Sequence, residues 1–301
     1  MATEAQPMTI HKQTLSIVVA SQNAQASITE CLSILRAQCS QESDEIVIVD
    51  NSTDGTTAMI REQFPDLKLI TASPSALIPE LWALGIRQSR GDIIVITSAH
   101  CVPDENWLQH IRTAHEIGTP AVGGAIENDP SATIIDWAVY FCRYSHYMLP
   151  FEKRFVAEIA GDNASYKRVF LNQCQEVWHR GFWEPNVHAE LRKAGHRLLL
   201  EPTIVIWHKK SFALHGFIQQ RFQHGTRFGQ WRASHLTTEK RVCYILLAPI
   251  ILFVLLGRIG RQVMVKRRHL LQFVSSLPAL MLFLIAWTAG EVAGSLRRPG
   301  T

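Results

Sequence analysis

The stretch EIVIVDNSTDGT at residues 45–56 determines the fold class, because a short β-branched run is followed at once by an acid and a turn. Such runs are typical of strands buried on both faces of a parallel sheet. Similar runs occur at LSIVVA (15–20), KLIT (68–71) and DIIVIT (92–97). The segments between these strands have apolar residues at helical spacing, which predicts helices. The first helix is predicted to begin near Ser27, and Glu30 completes a predicted capping box. This alternation predicts an α/β fold with a mostly parallel sheet.

Polar side chains follow three of these strands. They are Ser21-Gln22-Asn23, Asp50-Asn51-Ser52 and Ser98-Ala99-His100. Ligands of parallel α/β sheets bind at the carboxyl ends of the strands. The pattern therefore predicts one binding site built from successive loops.

Beyond about residue 120 the alternation weakens. GDNASYKR at 161–168 is interpreted as a polar loop before a helix, and a further helix is expected from about Pro185 to Lys193, ending at Gly195. RLLLEP and TIVIWH (197–208) resemble strands, and FIQQRFQHGTRFGQWR (217–232) has helical spacing of aromatic and basic residues.

The C-terminal part is apolar and basic. From residue 241 onward there are eight Lys and Arg against one acid, whereas the preceding residues hold 22 basic and 25 acidic side chains. Two apolar blocks, 242–257 and 270–294, flank a basic linker, which predicts a membrane-associated helical hairpin. We therefore expect a globular domain at 1–235 and a membrane-associated region at 236–301. A buried hairpin in a soluble domain is the alternative.

Charge and cysteine patterns restrict partner and compartment. The globular part is mildly acidic, so nucleic acid is not expected as a partner and the basic tail points to a lipid bilayer. Six scattered cysteines without a CxxC pair are typical of reduced thiols in the cytosol. We expect the catalytic domain to face the cytoplasm, while the sequence leaves open whether the 242–257 block crosses the bilayer.

Five segments resemble, in order, the motifs of family 2 glycosyltransferases. They are SIVVASQN (16–23), EIVIVDNSTDGT (45–56), RGDIIVITSAHCVPDENWL (90–108), GDNASYKR (161–168) and GFWEPNVHAELRKAGHRLLLEP (181–202). The resemblance implies a Rossmann-like GT-A domain that binds a nucleotide sugar. It also implies inverting transfer, and with the apolar tail it suggests a membrane-proximal acceptor, either a lipid-linked glycan or a polysaccharide.

The resemblance assigns roles to particular residues. Asp50 would contact the nucleotide base with Ser21 beside it, although Asp50 could instead only cap the following turn. The nucleotide-sugar side would also include Asn23, Ser52, Ser98 and His100. Glu184 takes the place of the catalytic base and Trp183 that of the neighbouring acid. The alternative for Glu184 is a favourable charge at a helix N-terminus.

One motif departs from the family pattern. The metal-binding D-x-D position reads Ser98-Ala99-His100, which leaves a requirement for Mn²⁺ or Mg²⁺ open, with His100 and His208 as candidate ligands. By resemblance, Asn163, Gln220 and Arg221 lie on the acceptor or diphosphate side, although the 217–232 segment also suits a basic interfacial helix. A catalytically inactive, membrane-bound scaffold is the alternative function.

Overall fold

The computed structural model describes residues 13–39, 43–234 and 236–296, so residues 1–12 and 297–301 of the two predicted domains lie outside the described residues. The strands are β1 (Leu15–Ser21), β2 (Glu45–Asp50), β3 (Lys68–Thr71), β4 (Ile93–Ser98), β5 (Cys101–Pro103), β6 (Ala121–Asn128), β7 (Arg154–Val156), β8 (Asn163–Lys167) and β9 (Leu198–His208). The helices are α1 (Ile28–Gln38), α2 (Thr56–Gln63), α3 (Ile78–Arg87), α4 (Trp107–His115), α5 (Ile134–Tyr144), α6 (Arg168–Gln173), α7 (Gln175–Trp178), α8 (Glu184–Lys193), α9 (Leu214–Ser234), α10 (Thr238–Leu246), α11 (Ala248–Lys266) and α12 (Leu270–Leu296).

The described strands form one nine-stranded sheet in the order β3-β2-β1-β4-β8-β6-β9-β5, with β7 paired to β9. Strands β3, β2, β1 and β4 are parallel, and β8 joins β4 in antiparallel orientation. All residues of β1 and β4 are buried, as their continuous apolar runs predict. The predicted α/β fold is confirmed, and the sheet is mixed.

Two local predictions are wrong. Residues 163–167, expected in a loop, form β8 between β4 and β6. Ser27 precedes α1 but forms no side-chain cap, because its hydroxyl donates to the backbone oxygen of Ala99 at 2.9 Å. The helix expected from Pro185 is present as α8, and Gly195 follows it with a φ of +82° that favours glycine.

The chain divides into two compact units. The first comprises Met1–Ala125 with Glu152–Ile206, and the second comprises Ile126–Phe151 with Trp207–Thr301. The first unit contains the parallel strands and α1 to α4. The second contains α5 and α9 to α12. The division at residue 235 expected from hydropathy stays a prediction.

Among the described residues, α11 and α12 are long and apolar enough to cross a membrane, by length and composition. The 242–257 block is divided between α10 and α11. Helix α10 ends before Leu247, and α11 begins at Ala248 with Pro249 in its first turn. Pro278 lies inside α12. Many apolar side chains of α11 and α12 are exposed, including Phe253 and Leu271.

Helices α9 and α12 pack against each other through glycines. A Cβ at Gly225 would lie 2.2 Å from the backbone oxygen of Trp287, and one at Gly229 would lie 2.2 Å from that of Glu291. Contacts therefore advance along both helices in the same direction, so the pair is parallel. Small residues four apart allow this close backbone approach.

Candidate functional site

The carboxyl ends of the parallel strands bring the predicted polar residues to one edge of the sheet. Ser21 of β1 stands opposite Asp50 of β2, and Ala20 stands opposite Ser98 of β4. The side chain of Asp50 is fully buried. Its carboxylate accepts hydrogen bonds from Ser52 Oγ, at 2.6 Å, and from Thr57 Oγ1. Asp50 therefore organises its own loop as well as facing this edge.

The loop after β1 is tied to the loop after β2. The backbone N–H of Asn23 donates to Ser52 Oγ at 2.8 Å, and the backbone N–H of Thr53 donates to Asn23 Oδ1 at 2.9 Å. Asn23 has a φ of +50°, a conformation that asparagine tolerates better than most residues. Burial tends to raise the pKa of Asp54, but hydrogen bonds from Thr56 lower it overall. These contacts hold the two loops together.

Two buried oxygens at this edge lack a hydrogen-bond partner within the described part of the chain: Ser21 Oγ and Asn51 Oδ1. The amide nitrogen of Asn51 donates to the backbone oxygen of Ala76 at 2.8 Å, which directs the side chain. A buried polar atom without a partner is costly and rare, so a ligand that bonds to it would relieve the cost. Asn51 belongs to the polar strand end that the sequence predicts to form the site, although the family resemblance assigns no role to it.

The Ser98–His100 segment does not suit a hard divalent cation. Ser98 Oγ lies 3.2 Å from Cys101 Sγ. The ring of His100 is held between the backbone oxygen of Gln22, 3.1 Å from Nε2, and Ser27 Oγ, 3.4 Å from Nδ1. The segment supplies no carboxylate, and the described residues contain no group of three or more His, Cys, Asp or Glu placed to hold a metal.

Glu184 begins α8 and points at the loop before β8. Its Oε1 accepts the backbone N–H of Gly161 at 3.2 Å, and a Cβ at Gly161 would lie 2.4 Å from that oxygen. The next residue, Asp162, accepts a hydrogen bond from Thr97 Oγ1 through its backbone oxygen at 2.9 Å. Thr97 immediately precedes Ser98 at the end of β4. A short chain of contacts thus connects Glu184 to the edge that carries Asp50.

Asn163 serves the sheet. Its amide nitrogen donates to the backbone oxygens of Ala125, at 2.8 Å, and Ile204, at 3.0 Å, and its Oδ1 accepts from Trp107 Nε1 at 2.9 Å. The side chain is almost completely buried. Because these bonds occupy the amide, we do not carry the acceptor-side role of Asn163 forward.

Three predicted residues belong to the second unit. Gln220 is exposed on α9, and the guanidinium of Arg221 lies 4.2 Å from the ring centre of Trp287. His208 is buried at the end of β9, with its ring parallel to that of Phe212 at 6.0 Å. The structure thus assigns His100 and His208, the two candidate metal ligands, to different units.

Comparison with known proteins identifies the family. A family model described as glycosyl transferase family 2 matches residues 16–174, more than half of the chain. The chain belongs to glycosyl transferase family 2. The predicted family and enzyme class are therefore confirmed, and the protein is a glycosyltransferase. No curated protein sequence matches it significantly.

Solved structures share the GT-A fold of this family 2 glycosyltransferase. The mannosyltransferase PcManGT from Pyrobaculum calidifontis, in complex with GDP-Man and Mn²⁺, aligns over 92% of this chain and 86% of its own, with 17% identity and a TM-score of 0.54. S. aureus TarS 1-349, in complex with UDP-GlcNAc, aligns over 91% of both chains, with 12% identity and a TM-score of 0.51. GalNAc-T7 with UDP, GalNAc and Mn²⁺ aligns over 67% of this chain and 45% of its own, with 14% identity and a TM-score of 0.52. Identities this low show the fold alone.

Proposed function

We propose that this glycosyltransferase takes a nucleotide sugar as donor and inverts the configuration of the transferred sugar. The observation that carries the proposal is the position of Glu184, whose carboxylate reaches the loop beside the end of β4. The structures named above were determined with GDP-Man, UDP-GlcNAc or UDP and GalNAc, which supports a donor of the same class.

The nucleotide would bind at the edge formed by Ser21, Asp50 and Asn51. Two buried oxygens there lack partners among the described residues, and the Asp50 carboxylate accepts hydrogen bonds that keep it in place. Carboxylate and amide oxygens suit the N–H groups of a nucleotide base, and a serine hydroxyl suits a ribose hydroxyl. Ser98, His100 and the loop carrying Asn23 and Ser52 border this edge, and we retain them as donor-side residues.

Glu184 would act as the general base. It begins α8, where the helix dipole stabilises a negative charge. In the proposed step the acceptor O–H bond breaks, its proton passes to Glu184, and the oxygen attacks the anomeric carbon. The bond to the nucleoside diphosphate breaks on the opposite side and the diphosphate leaves with the electron pair, so a single displacement inverts the centre. We derive no step through a metal ion, because the Ser98–His100 segment does not suit one.

A pair of variants on α8 tests the base. Glu184→Gln is expected to lower turnover by about 10²–10⁴-fold while donor affinity stays unchanged, since general bases contribute on this scale. Glu190→Gln on the same helix is the control, because Glu190 forms an ion pair with the exposed Lys193. The full-length protein in detergent would be assayed with UDP-, GDP- and dTDP-sugars, following donor affinity, turnover and product anomer. Wild-type turnover in Glu184→Gln would contradict the proposal and favour a non-catalytic role for this residue.

We further propose that α11 and α12 lie in the membrane interface and hold the enzyme beside a membrane-borne acceptor. Helix α12 packs against other helices of its unit along its length: the ring centres of Phe273 and Phe141 of α5 are 5.2 Å apart, and those of Phe283 and Phe217 of α9 are 4.6 Å apart. Helix α9 carries several Arg and Gln residues, which are costly inside a bilayer. A basic turn follows α11, where Arg268 pairs with Glu127 at 3.1 Å. These contacts favour a location of α11 and α12 on one face of the membrane. The basic residues favour the cytoplasmic face.

Accessibility to a membrane-impermeant maleimide tests this topology. Single cysteines would replace Lys240 before α11 and Arg267 after it, in a chain whose exposed Cys243 is changed to serine. Both positions should be labelled from the same, cytoplasmic side of oriented vesicles. Labelling from opposite sides would show that α11 crosses the bilayer.

A further inference from the structure

The second unit contains a cavity of about 400 Å³ lined by residues of α5, α9, α11 and α12. Its polar wall carries four arginines, Arg143, Arg221, Arg232 and Arg258, against a single acid, Glu291. Its other wall is apolar and includes Leu255, Leu284 and Trp287. The cavity therefore joins a strongly positive surface to the two long apolar helices α11 and α12.

The single acid does not balance the arginines. Glu291 forms an ion pair with Arg232, which also lies over the rings of Phe228 and Tyr244. Arg221 lies over Trp287, and its Nε has no hydrogen-bond acceptor among the residues that the structure describes. Arg221 and Arg232 are partly buried, whereas Arg143 and Arg258 are exposed. An anion would compensate the partly buried guanidinium groups, because desolvation of a charge is expensive.

Burial and the positive charge of these arginines lower the pKa of neighbouring basic side chains. Burial lowers the pKa of Arg221, and the nearby Arg143 lowers it further. Burial and the charges of Arg221, Arg143 and Arg227 lower the pKa of His224 to about 4, so His224 stays neutral near pH 7 and adds no charge. Arg143 and Arg221 are thus close enough to repel each other, and an anion bound in the cavity would reduce this repulsion.

The chemistry of the two walls defines the ligand. Arginine recognises phosphate oxygens through paired, charge-assisted hydrogen bonds, and several arginines suit a phosphate with two or more charges. Free phosphate or a soluble sugar phosphate would gain nothing from the apolar wall. A phosphate attached to a long hydrocarbon chain would use both walls, because its chain can continue along the exposed apolar surface of α11 and α12.

We propose that this cavity binds the phosphate group of a membrane lipid, and that this lipid phosphate belongs to the acceptor of the glycosyl transfer. The second part rests on the proposed function, which places the acceptor at the membrane. With a phosphomonoester as acceptor, the O–H of that step is the P–OH of the phosphate monoanion, whose oxygen attacks the anomeric carbon after its proton passes to Glu184. Two kinds of lipid have a phosphate on an apolar chain: an acceptor phosphomonoester and a bulk phospholipid. The higher charge of a monoester suits the number of arginines better than a phosphodiester does.

Binding to the full-length protein in detergent, measured by native mass spectrometry, tests the cavity. The probes are a polyprenyl monophosphate, the same polyprenol without phosphate, phosphatidylglycerol and inorganic phosphate. The monophosphate should bind and the polyprenol should not. Arg258→Gln should weaken binding about ten-fold, as expected for a lost hydrogen bond to a charged group. Arg261→Gln, an exposed change on the same helix outside the cavity, should leave binding unchanged.

Arg221 allows a second comparison at the buried wall. Arg221→Gln should weaken binding at least as much as Arg258→Gln, and Arg221→Lys should restore part of it by restoring the charge. If Arg221→Gln misfolds, the exposed Arg258 still decides the result. Wild-type affinity in Arg258→Gln, or equal affinity for polyprenol and its phosphate, would overturn the proposal. Tight binding of inorganic phosphate without lipid binding would overturn it as well.

The remaining outcomes separate the lipid source and the two proposals. Equal, arginine-dependent binding of phosphatidylglycerol would support a lipid-phosphate site but overturn its assignment to the acceptor. Glu184→Gln should bind the monophosphate like the wild type, because Glu184 belongs to the first unit. If the wild-type protein cleaves the donor but does not bind the lipid phosphate, the lipid-binding proposal alone is contradicted. Intact lipid binding without any sugar transfer would count against the proposed function.

Discussion

Alanine at Gly294 of α12 is expected to separate α9 from α12. A Cβ at this position would lie 2.0 Å from the backbone oxygen of Thr226, whereas ordinary contact begins at 3.4 Å. The two helices must therefore move apart by about 1.4 Å. The obstacle is backbone, so a rotamer change cannot relieve it. Overpacking of this kind costs roughly 3 kcal/mol at the upper end of its usual range.

The gain in helix propensity offsets part of this cost. Replacement of glycine by alanine inside a helix stabilises it by about 1 kcal/mol, which leaves a net loss of about 2 kcal/mol. Gly257 of α11 is the matched control, because no atom lies within 4 Å of its added Cβ. Gly257→Ala should therefore gain up to about 1 kcal/mol, so the two variants should differ by about 3 kcal/mol in unfolding free energy.

Thermal unfolding of the full-length protein in one detergent measures this difference. For a chain of this size, Gly294→Ala should lower the Tm by about 4 °C and Gly257→Ala should raise it by about 2 °C. Gly290→Ala, whose Cβ would lie 2.1 Å from the backbone oxygen of Phe222, should behave like Gly294→Ala. The double variant should lose less stability than the sum of the two single changes, because the first change has already moved the helices apart. A Tm for Gly294→Ala equal to that of Gly257→Ala would refute the close parallel packing.

Three further changes test the first unit. Gly161→Ala should displace the Glu184 carboxylate, because its Cβ would lie 2.4 Å from Oε1; turnover should fall while donor affinity, measured by thermal shift, is retained. Asn163→Ala should destabilise the sheet by about 3 kcal/mol in denaturant unfolding, because three buried hydrogen-bond partners lose their bonds. Burial and Lys167 lower the pKa of His115 from 6.5 to about 3. Below pH 6.5 the unfolded chain therefore binds a proton that the folded chain does not, and about 2 kcal/mol of stability should be lost by pH 5. A Tm that falls equally between pH 7.5 and pH 5 in the wild type and in His115→Gln would contradict this account.

The parallel half of the sheet follows directly from the sequence, and β8 shows why the other half does not. Three of its five residues, Asn163, Ser165 and Lys167, are polar, yet Asn163 and Ser165 are buried. Ser165 Oγ is 2.8 Å from Nε2 of the buried His115, and Asn163 bonds to the backbone of neighbouring strands. Hydropathy assigns such a segment to a loop, because its polar groups are satisfied by partners far away in sequence.

The donor edge was predictable from the residues that follow the strands, but the use of each side chain was not. Ser27 has the spacing of a capping box, yet its hydroxyl is diverted to Ala99 by the packing of α1. Asn51 belongs to a polar strand end that the sequence identifies, but only its burial without a partner for Oδ1 among the described residues distinguishes it from its neighbours. The cavity of the second unit joins residues from 142 to 291, so no local pattern could have shown it.

The sequence left two interpretations of the basic residues on α9, as an interfacial helix or as an anion-binding one, and helical phase separates them. Arg221 and Arg232 are eleven residues apart, which brings them within about 20° on a helix of 100° per residue, and both line the cavity. Arg227 lies about 120° away from Arg221 and is exposed. The two proposed functions would therefore use different faces of one helix. Neutralising Arg227 should weaken binding of the protein to anionic vesicles in a salt-dependent way, whereas neutralising Arg221 should act on a single lipid phosphate.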